Sequence, residues 1–338
     1  MPVVVDGGPS GYRLFAAVEN LRGKPRPEFR EGDANCVDLG LINNMPDSAL
    51  EMTERQVLKL VDAAADDFLV RLRFYSLSNV PRSALGQEHI ARHNYFGTDD
   101  LLNGHLDGLI VTGAEPRVPD LMQEPYWSTL TQVLDWAACN TLSTIWSCLA
   151  VHAAVLYLDG IPRRALDRKC FGVHEFERIS QHPMMKGAPS PLRIPHSRWN
   201  AVDEDALASC GYTILSRSKQ VGVDTFVRQQ DSLFVFFQGH PEYESGTLLG
   251  EYRRDIGRFL RKEKDVYPEI PQNYFSSEAE KILVAFRDQA LADRRAELLT
   301  SFPYEVLTGN LSEIWREAAI QIYRNWLVHI SAQKSLIT

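Results

Sequence analysis

Cys148 lies between the apolar run Ser143-Thr-Ile-Trp-Ser147 and the helical stretch Leu149-Ala-Val-His-Ala-Ala-Val-Leu156. A residue at such a strand-to-helix turn projects from the carboxyl edge of a sheet, where open α/β proteins place their sites. The helix N-terminus beyond it favours a thiolate over a thiol. His240 stands at the corresponding place after Phe234-Val-Phe-Phe237, within Gly239-His-Pro-Glu-Tyr243. Glu242 could hold that imidazole in the tautomer that accepts a proton from Cys148, which gives nucleophile, base and orienter. Thr112-Gly-Ala-Glu-Pro-Arg117 also follows an apolar strand. There Gly113 would let a backbone N–H face an oxyanion, with the N–H of Leu149 as second donor. Three strand ends would then converge on acyl-transfer chemistry. Residue by residue a plainer reading stands beside this one, with Cys148 as core packing and His240 and Glu242 as a polar loop.

The other cysteines, Cys36, Cys139, Cys170 and Cys210, have no comparable setting. Five cysteines at scattered spacings make neither a disulfide framework nor a Cys-x-x-Cys pair. Cys148 and His152 share a helix face, as do His89 and His93. No further ligands at convincing spacing accompany Cys148 and His152, so no metal is expected. His152 reads as a pocket residue behind the nucleophile, and His89 and His93 read as a surface helix near the mouth of the site. Arg163, Arg164 and Arg168 read as solvated surface, with an approach to CoA phosphates as the alternative.

The elements that must position these residues follow from the hydrophobic pattern. Cys36–Ile42 reads as a strand, Asn43–Asp47 as a turn, and Ala49–Ala65 as an amphipathic helix with Leu50, Val57, Leu58, Val61 and Ala65 along one face. Strands are expected at Val70–Leu77, Leu109–Thr112, Ser143–Ser147 and Phe234–Phe237. Helices are expected at Tyr126–Cys139, Glu278–Leu299 and Glu313–Ile330. Strands alternating with helical stretches predict a three-layer α/β fold, a mostly parallel sheet flanked by helices. The expected divisions are an N-terminal arm over 1–35, an α/β domain over 36–300, and a C-terminal helical extension over 301–338 packed on that domain or on a dimer partner.

The chain has 338 residues, 44% of them apolar and 24% charged, an ordinary globular balance. Its net charge of −8 lacks the basic excess of a general nucleic-acid binder. The opening MPVVVDGGPSGYRLF has no basic leader followed by a long apolar core, and no apolar run is long enough to span a bilayer. A cytoplasmic protein with neither a nucleic-acid nor a membrane partner is expected.

An ordered set of short motifs adds to this reading: Ile42-Asn-Asn-Met-Pro46, Val111-Thr-Gly-Ala114, Cys148-Leu-Ala-Val-His-Ala-Ala154, Lys169-Cys-Phe-Gly-Val173, Pro195-His-Ser-Arg198, Gly239-His-Pro-Glu-Tyr243 and Pro271-Gln-Asn-Tyr-Phe275. With them the chain resembles the homoserine O-acyltransferases of the MetA family, a branch of the class I glutamine-amidotransferase-like (flavodoxin-like) fold. The resemblance covers about residues 36–276.

It implies that an acyl group passes from acyl-CoA to the cysteine, and then to the hydroxyl of L-homoserine. That assigns Cys148 as nucleophile, His240 as general base and Glu242 as its partner, and makes Lys169, Ser197 and Arg254 substrate-binding residues. It implies no bound cofactor, with succinyl-CoA as a substrate, and the expected assembly is a homodimer. Two departures stand out. The family commonly carries lysine just after the Met-Pro turn, where this chain has Asp47 and Ser48, so no positive charge is expected there. Acetyl-using members tend to carry glutamate three residues beyond the alanine of the Thr-Gly-Ala loop, and this chain has Arg117. An arginine could pair with a succinyl carboxylate, which favours succinyl-CoA. Acetyl transfer to homoserine and acyl transfer to serine are the nearest alternatives. Glutamine amidotransfer and a non-catalytic ligand-binding role are more distant.

Overall fold

The computed structural model describes residues 3–5, 36–309 and 311–337. Most of the expected N-terminal arm therefore lies outside the described residues. Among the described residues twelve strands run in chain order. They are β1 Val3–Val5, β2 Cys36–Ile42, β3 Leu69–Tyr75, β4 Gly108–Val111, β5 Ser143–Ser147 and β6 Arg164–Arg178. After them come β7 Leu192–Ala201, β8 Thr213–Ile214, β9 Ser216–Ser218, β10 Gly222–Val223, β11 Thr225–Gln229 and β12 Leu233–Phe237.

The main sheet has eight strands in the order β1-β3-β2-β4-β5-β12-β11-β8. From β1 to β12 every neighbouring pair is parallel, while β11 and β8 are antiparallel additions at one edge. The central strands are buried end to end, as expected for a parallel sheet covered on both faces.

Seven helices matter for the site and its support: α1 Leu50–Ala65, α2 Ala84–Arg92, α3 Trp127–Asn140, α4 Leu149–Asp159, α5 Thr247–Leu260, α6 Ser277–Ala292 and α7 Arg316–Ile337. Strand side chains alternate between two cores. On one face Leu39, Ile110, Val235 and Phe237 pack with Val57 and Val61 of α1 and with Ile322 and Trp326 of α7. On the other, Leu109, Val111, Trp146 and Phe236 pack with Val133 of α3 and with Val151 and Val155 of α4. The three-layer α/β architecture is thus built as the alternation predicts.

α7 belongs to the main core. A Cβ on Gly108 would meet Ile330 at 2.8 Å and Trp326 at 3.0 Å, and the Trp326 indole donates to Ser143 Oγ at 2.8 Å. Two helix expectations change in extent. The predicted Glu278–Leu299 helix stops at Ala292 and resumes as a 3-10 turn at Ala296–Ser301. The predicted Glu313–Ile330 helix begins at Arg316 and runs on to Ile337.

A second, antiparallel sheet, β10-β9-β6-β7, is the main feature absent from the sequence reading. Its longest strand, β6, opens on mostly charged and exposed residues, and its buried positions begin only at Cys170. Its pairing with β7 shifts register between Ala165 and Cys170, and beyond that shift Phe171 lies opposite Ser197. Gly172 adopts φ +138°, and a Cβ there would come within 2.2 Å of the Gln272 carbonyl oxygen. Only glycine lets the Pro271–Phe275 segment seat against β6. There Gln272 N–H donates to Phe171 O and Val173 N–H donates to Gln272 O.

Candidate active site

At the end of β5 the chain reverses in one residue. Cys148 has φ 53° and ψ −115°, outside the regions where a side-chain-bearing residue is comfortable. Its N–H donates to Phe237 O at 2.9 Å, tying the elbow to the end of the neighbouring strand β12. The thiol is half-buried, and α4 starts at the next residue. The first N–H groups of a helix have no intrahelical acceptor, so they remain free to serve a ligand. Gly113, just beyond β4, closes the other side. A Cβ at that position would stand 3.0 Å from Leu149 N and 3.4 Å from Cys148 Cβ. The Thr-Gly-Ala loop approaches the elbow this closely only because it carries glycine.

His240 follows β12 and is buried. Its side chain lies between Cys148 and Glu242, with Nδ1 2.8 Å from Glu242 Oε1. Burial alone would push the imidazole down, but the Glu242 carboxylate and the Cys148 sulfur outweigh it and hold its pKa well above the ordinary histidine value. The backbone around it is pinned by the Pro195–Arg198 segment and by Asp224. His240 N–H donates to Pro195 O of β7 at 2.9 Å. Gly239 N–H donates to the buried Asp224 at 2.8 Å, and the Asp224 carboxylate lies 3.3 Å from His196 Nε2.

Lys169 and Ser197 of the second sheet and Arg254 of α5 come together around two acids that the sequence reading did not single out, Glu251 and Asp255. Ser197 Oγ donates to Glu251 Oε2. Lys169 Nζ lies 2.9 Å from Asp255 Oδ2 and 3.9 Å from Glu251 Oε2, directly over the Phe171 ring. Arg254 pairs with Asp255 at 3.3 Å and lies 3.9 Å from Glu251. Tyr243 joins this cluster to the base. Its ring stacks on His240 with centroids 4.2 Å apart, and its hydroxyl donates to Glu251 Oε1 at 2.6 Å. Burial and the two glutamates push the Tyr243 phenol well up, so it stays a proton donor. Glu251 and Asp255 lie four residues apart on the helix that carries Arg254, a spacing visible in the sequence but without a cue to its orientation.

The turn at Asn43–Asp47 corrects one expectation. A positive charge does reach it, from Arg82. That side chain is buried, donates to Asn43 O at 2.8 Å and to Met45 O, and pairs with Asp47 at 3.3 Å. Burial works against the Asp47 carboxylate, but hydrogen bonds from Ser83 and the Arg82 guanidinium prevail and lower its pKa. Asn44 N–H donates to Thr112 Oγ1 at 2.8 Å, which links this turn to the Thr-Gly-Ala loop. Asn44, Arg82, Ala114, Glu115, Arg117 and Tyr126 border an open cleft of about 700 Å³. Arg117 is exposed on its rim, and Glu115 turns away to pair with Arg258 at 3.1 Å.

The residues set aside in the sequence are placed as follows. His152 is buried on α4 and held neutral, its pKa pushed down to about 3 by burial and by Arg198 and Arg163. Arg163 donates to Pro119 O, whereas Arg164 and Arg168 are exposed. His89 and His93 lie on α2 and at its C-terminal cap, facing the buried Glu54.

Comparison with known proteins shows the family of the chain. The homoserine O-succinyltransferase family matches residues 20–336. A homoserine O-succinyltransferase of Rhodopseudomonas palustris is 45% identical over 318 residues, which is 94% of each chain. Another, of Methylorubrum extorquens, is 46% identical over 299 residues, or 88% of each chain. Among solved structures, a glutamine amidotransferase of Thermotoga maritima is 12% identical with a TM-score of 0.48, over 87% of this chain and 98% of that one. This chain belongs to the homoserine O-succinyltransferase family.

Proposed function

We propose that this chain transfers the succinyl group of succinyl-CoA to the hydroxyl of L-homoserine by way of a thioester on Cys148. The Cys148 thiolate attacks the thioester carbonyl, and the oxyanion is met by the N–H groups of Gly113 and Leu149. CoA leaves with the proton held by His240. Acylation removes the sulfur charge that helped to raise the His240 pKa, so the imidazole becomes available as a base. It takes the proton of the homoserine hydroxyl as that oxygen attacks the acyl-enzyme, and collapse of the second tetrahedral intermediate returns thiolate and imidazolium. Glu242 orients the ring throughout.

Lys169, Ser197, Glu251 and Arg254 form the acceptor pocket. Arg254 suits the amino-acid carboxylate, and Glu251 suits its ammonium group. Arg82 stands in for the lysine that this turn lacks, and Arg117 faces the succinyl carboxylate from the rim of the cleft. The observation that carries this reading is the strained Cys148 elbow, set beside the buried His240–Glu242 pair and closed over by Gly113.

Intact-mass spectrometry tests it. Succinyl-CoA should leave one succinyl group on the wild-type chain and none on Cys148→Ala, and L-homoserine should clear it as O-succinylhomoserine. Clearance by L-serine instead would overturn the acceptor. Absence of any adduct from succinyl-CoA or acetyl-CoA on folded protein would overturn the thioester.

A further inference from the structure

A second cluster of chemically capable side chains lies apart from the acyl-transfer site. Glu54 points from α1 into the protein and is fully buried. His89 Nε2 lies 2.6 Å from its Oε1, and His93 Nδ1 lies 3.3 Å from its Oε2. One ligand atom from each of the three residues falls within 4.8 Å of the others. The four-residue spacing stacks the two imidazoles with centroids 4.0 Å apart and planes inclined by 17°. Glu54 Oε2 and His93 Nδ1 make no hydrogen bond, although both are buried. A buried carboxylate oxygen without a donor is costly, and so is an imidazole nitrogen without a partner. Tyr95 donates to Glu54 Oε1, and the nearby Arg92 pairs with Glu88 at the surface.

We propose that Glu54, His89 and His93 form a divalent transition-metal site, zinc by its ligand chemistry, which fixes the active-site turn through Tyr95. Two imidazoles and one carboxylate are a borderline donor set of the kind zinc takes, with water completing a tetrahedron. The free atoms Glu54 Oε2 and His93 Nδ1 are the natural first ligands. Zinc bonds of about 2.0–2.1 Å require only small shifts of these side chains and of His89 Nε2.

The cluster is coupled to the turn. The Tyr95 hydroxyl that donates to Glu54 also accepts from Asn43 Nδ2 at 3.1 Å, and Asn43 begins the turn that carries Asn44 toward the cleft. A metal held between α1 and α2 would hold Glu54, Tyr95 and Asn43 in series, as outer partners commonly do around a zinc ligand. The role is structural, since the site lies off the reacting atoms.

The full chain carrying Cys148→Ala, which removes the competing catalytic thiol, is the test protein. After dialysis against chelator it is titrated with zinc chloride by calorimetry, beside the same chain with His93→Phe, which keeps the ring stack. The expected result is about one zinc bound per parent chain, with affinity at least about 100-fold weaker after His93→Phe. Zinc should raise the melting temperature of the parent alone. Cobalt substituted for zinc should give a spectrum without a thiolate charge-transfer band. Glu54→Gln, checked for folding by circular dichroism, should lose the metal as well. Equal binding by parent and His93→Phe, or none by the parent at about 100 µM zinc, would show the cluster to be a hydrogen-bond network only and would overturn the site.

Discussion

Cys148, Gly113 and His240 hang on the ends of parallel strands that are buried from end to end, whereas Lys169, Ser197 and Arg254 meet across an antiparallel ribbon and one face of α5. In the first region the backbone places the chemistry. The elbow φ, the glycine approach and the His240 N–H to Pro195 are all main-chain features. In the second region charges hold one another, with two acids set against three donors and a tyrosine. Removing a side chain from the first should stop or slow the acyl chemistry itself. Removing one from the second should spare the thioester and damage its transfer.

The largest effect is expected at His240, where the two regions touch. His240→Asn should slow turnover by about 10²–10⁴-fold, measured with saturating substrates. Its pH signature is also fixed by the structure. Burial opposes the imidazolium, but Glu242 and Cys148 prevail and raise the pKa. A raised histidine pKa gives stability that is fully present below the ordinary value of about 6.5 and is lost as pH rises through the raised one. The stability gap between wild type and His240→Asn, followed by urea unfolding across pH, should therefore shrink on the alkaline side. A gap that grows there would mean that the imidazole is neutral in the resting site.

Gly113→Ala tests the backbone half without touching a titrating group. Its methyl would sit 3.0 Å from Leu149 N, over the donor proposed for the oxyanion. Losing one such donor typically costs about 10²–10³-fold in rate, and both acylation and transfer should slow because both pass through an oxyanion. Rapid-quench mass spectrometry separates the two stages. Glu251→Gln should split them. It keeps a polar group against Ser197 and Tyr243 but removes the charge beside Lys169 and Arg254. Thioester formation should stay near wild type, while the apparent KM for homoserine rises by about 10–100-fold. Equal slowing of both stages by Glu251→Gln would erase the proposed division.

The same division governs how much of the molecule could be read in the sequence. Buried parallel strands write themselves as apolar runs, so β4, β5 and β12 and the residues just after them were legible, and with them Cys148, His240, Glu242 and Gly113. Lys169, Ser197 and Arg254 were reached through resemblance alone. Their scaffold, β6 and β7, carries a register shift and charged, half-exposed residues that mask the period-two pattern. Glu251 and Asp255 look like ordinary charges on an amphipathic helix, because no periodicity distinguishes a carboxylate that meets Lys169 from one that meets water. Arg82 was invisible for a related reason. It reaches the Asn43–Asp47 turn from 35 residues further along the chain, and only the packing of α2 beside that turn brings it there.

The smallest effect should come from the rim of the cleft, where neither backbone geometry nor a closed charge network acts. Arg117 is exposed, and its own N–H donates to Glu124 at 2.6 Å. Among the described residues its guanidinium has no ion-pair partner, so it can meet the terminal carboxylate of a succinyl group, but in a solvated setting where such pairs are weak. Arg117→Glu turns that attraction into repulsion and should lower kcat/KM for succinyl-CoA relative to acetyl-CoA by about 10-fold, through about 1.4 kcal/mol, and less at high salt. The acetyl reaction serves as the internal control, because the change leaves Cys148, His240 and Gly113 untouched. If both donors slow equally, Arg117 contributes to loop structure, and selection of the succinyl group belongs to the buried Arg82 deeper in the cleft.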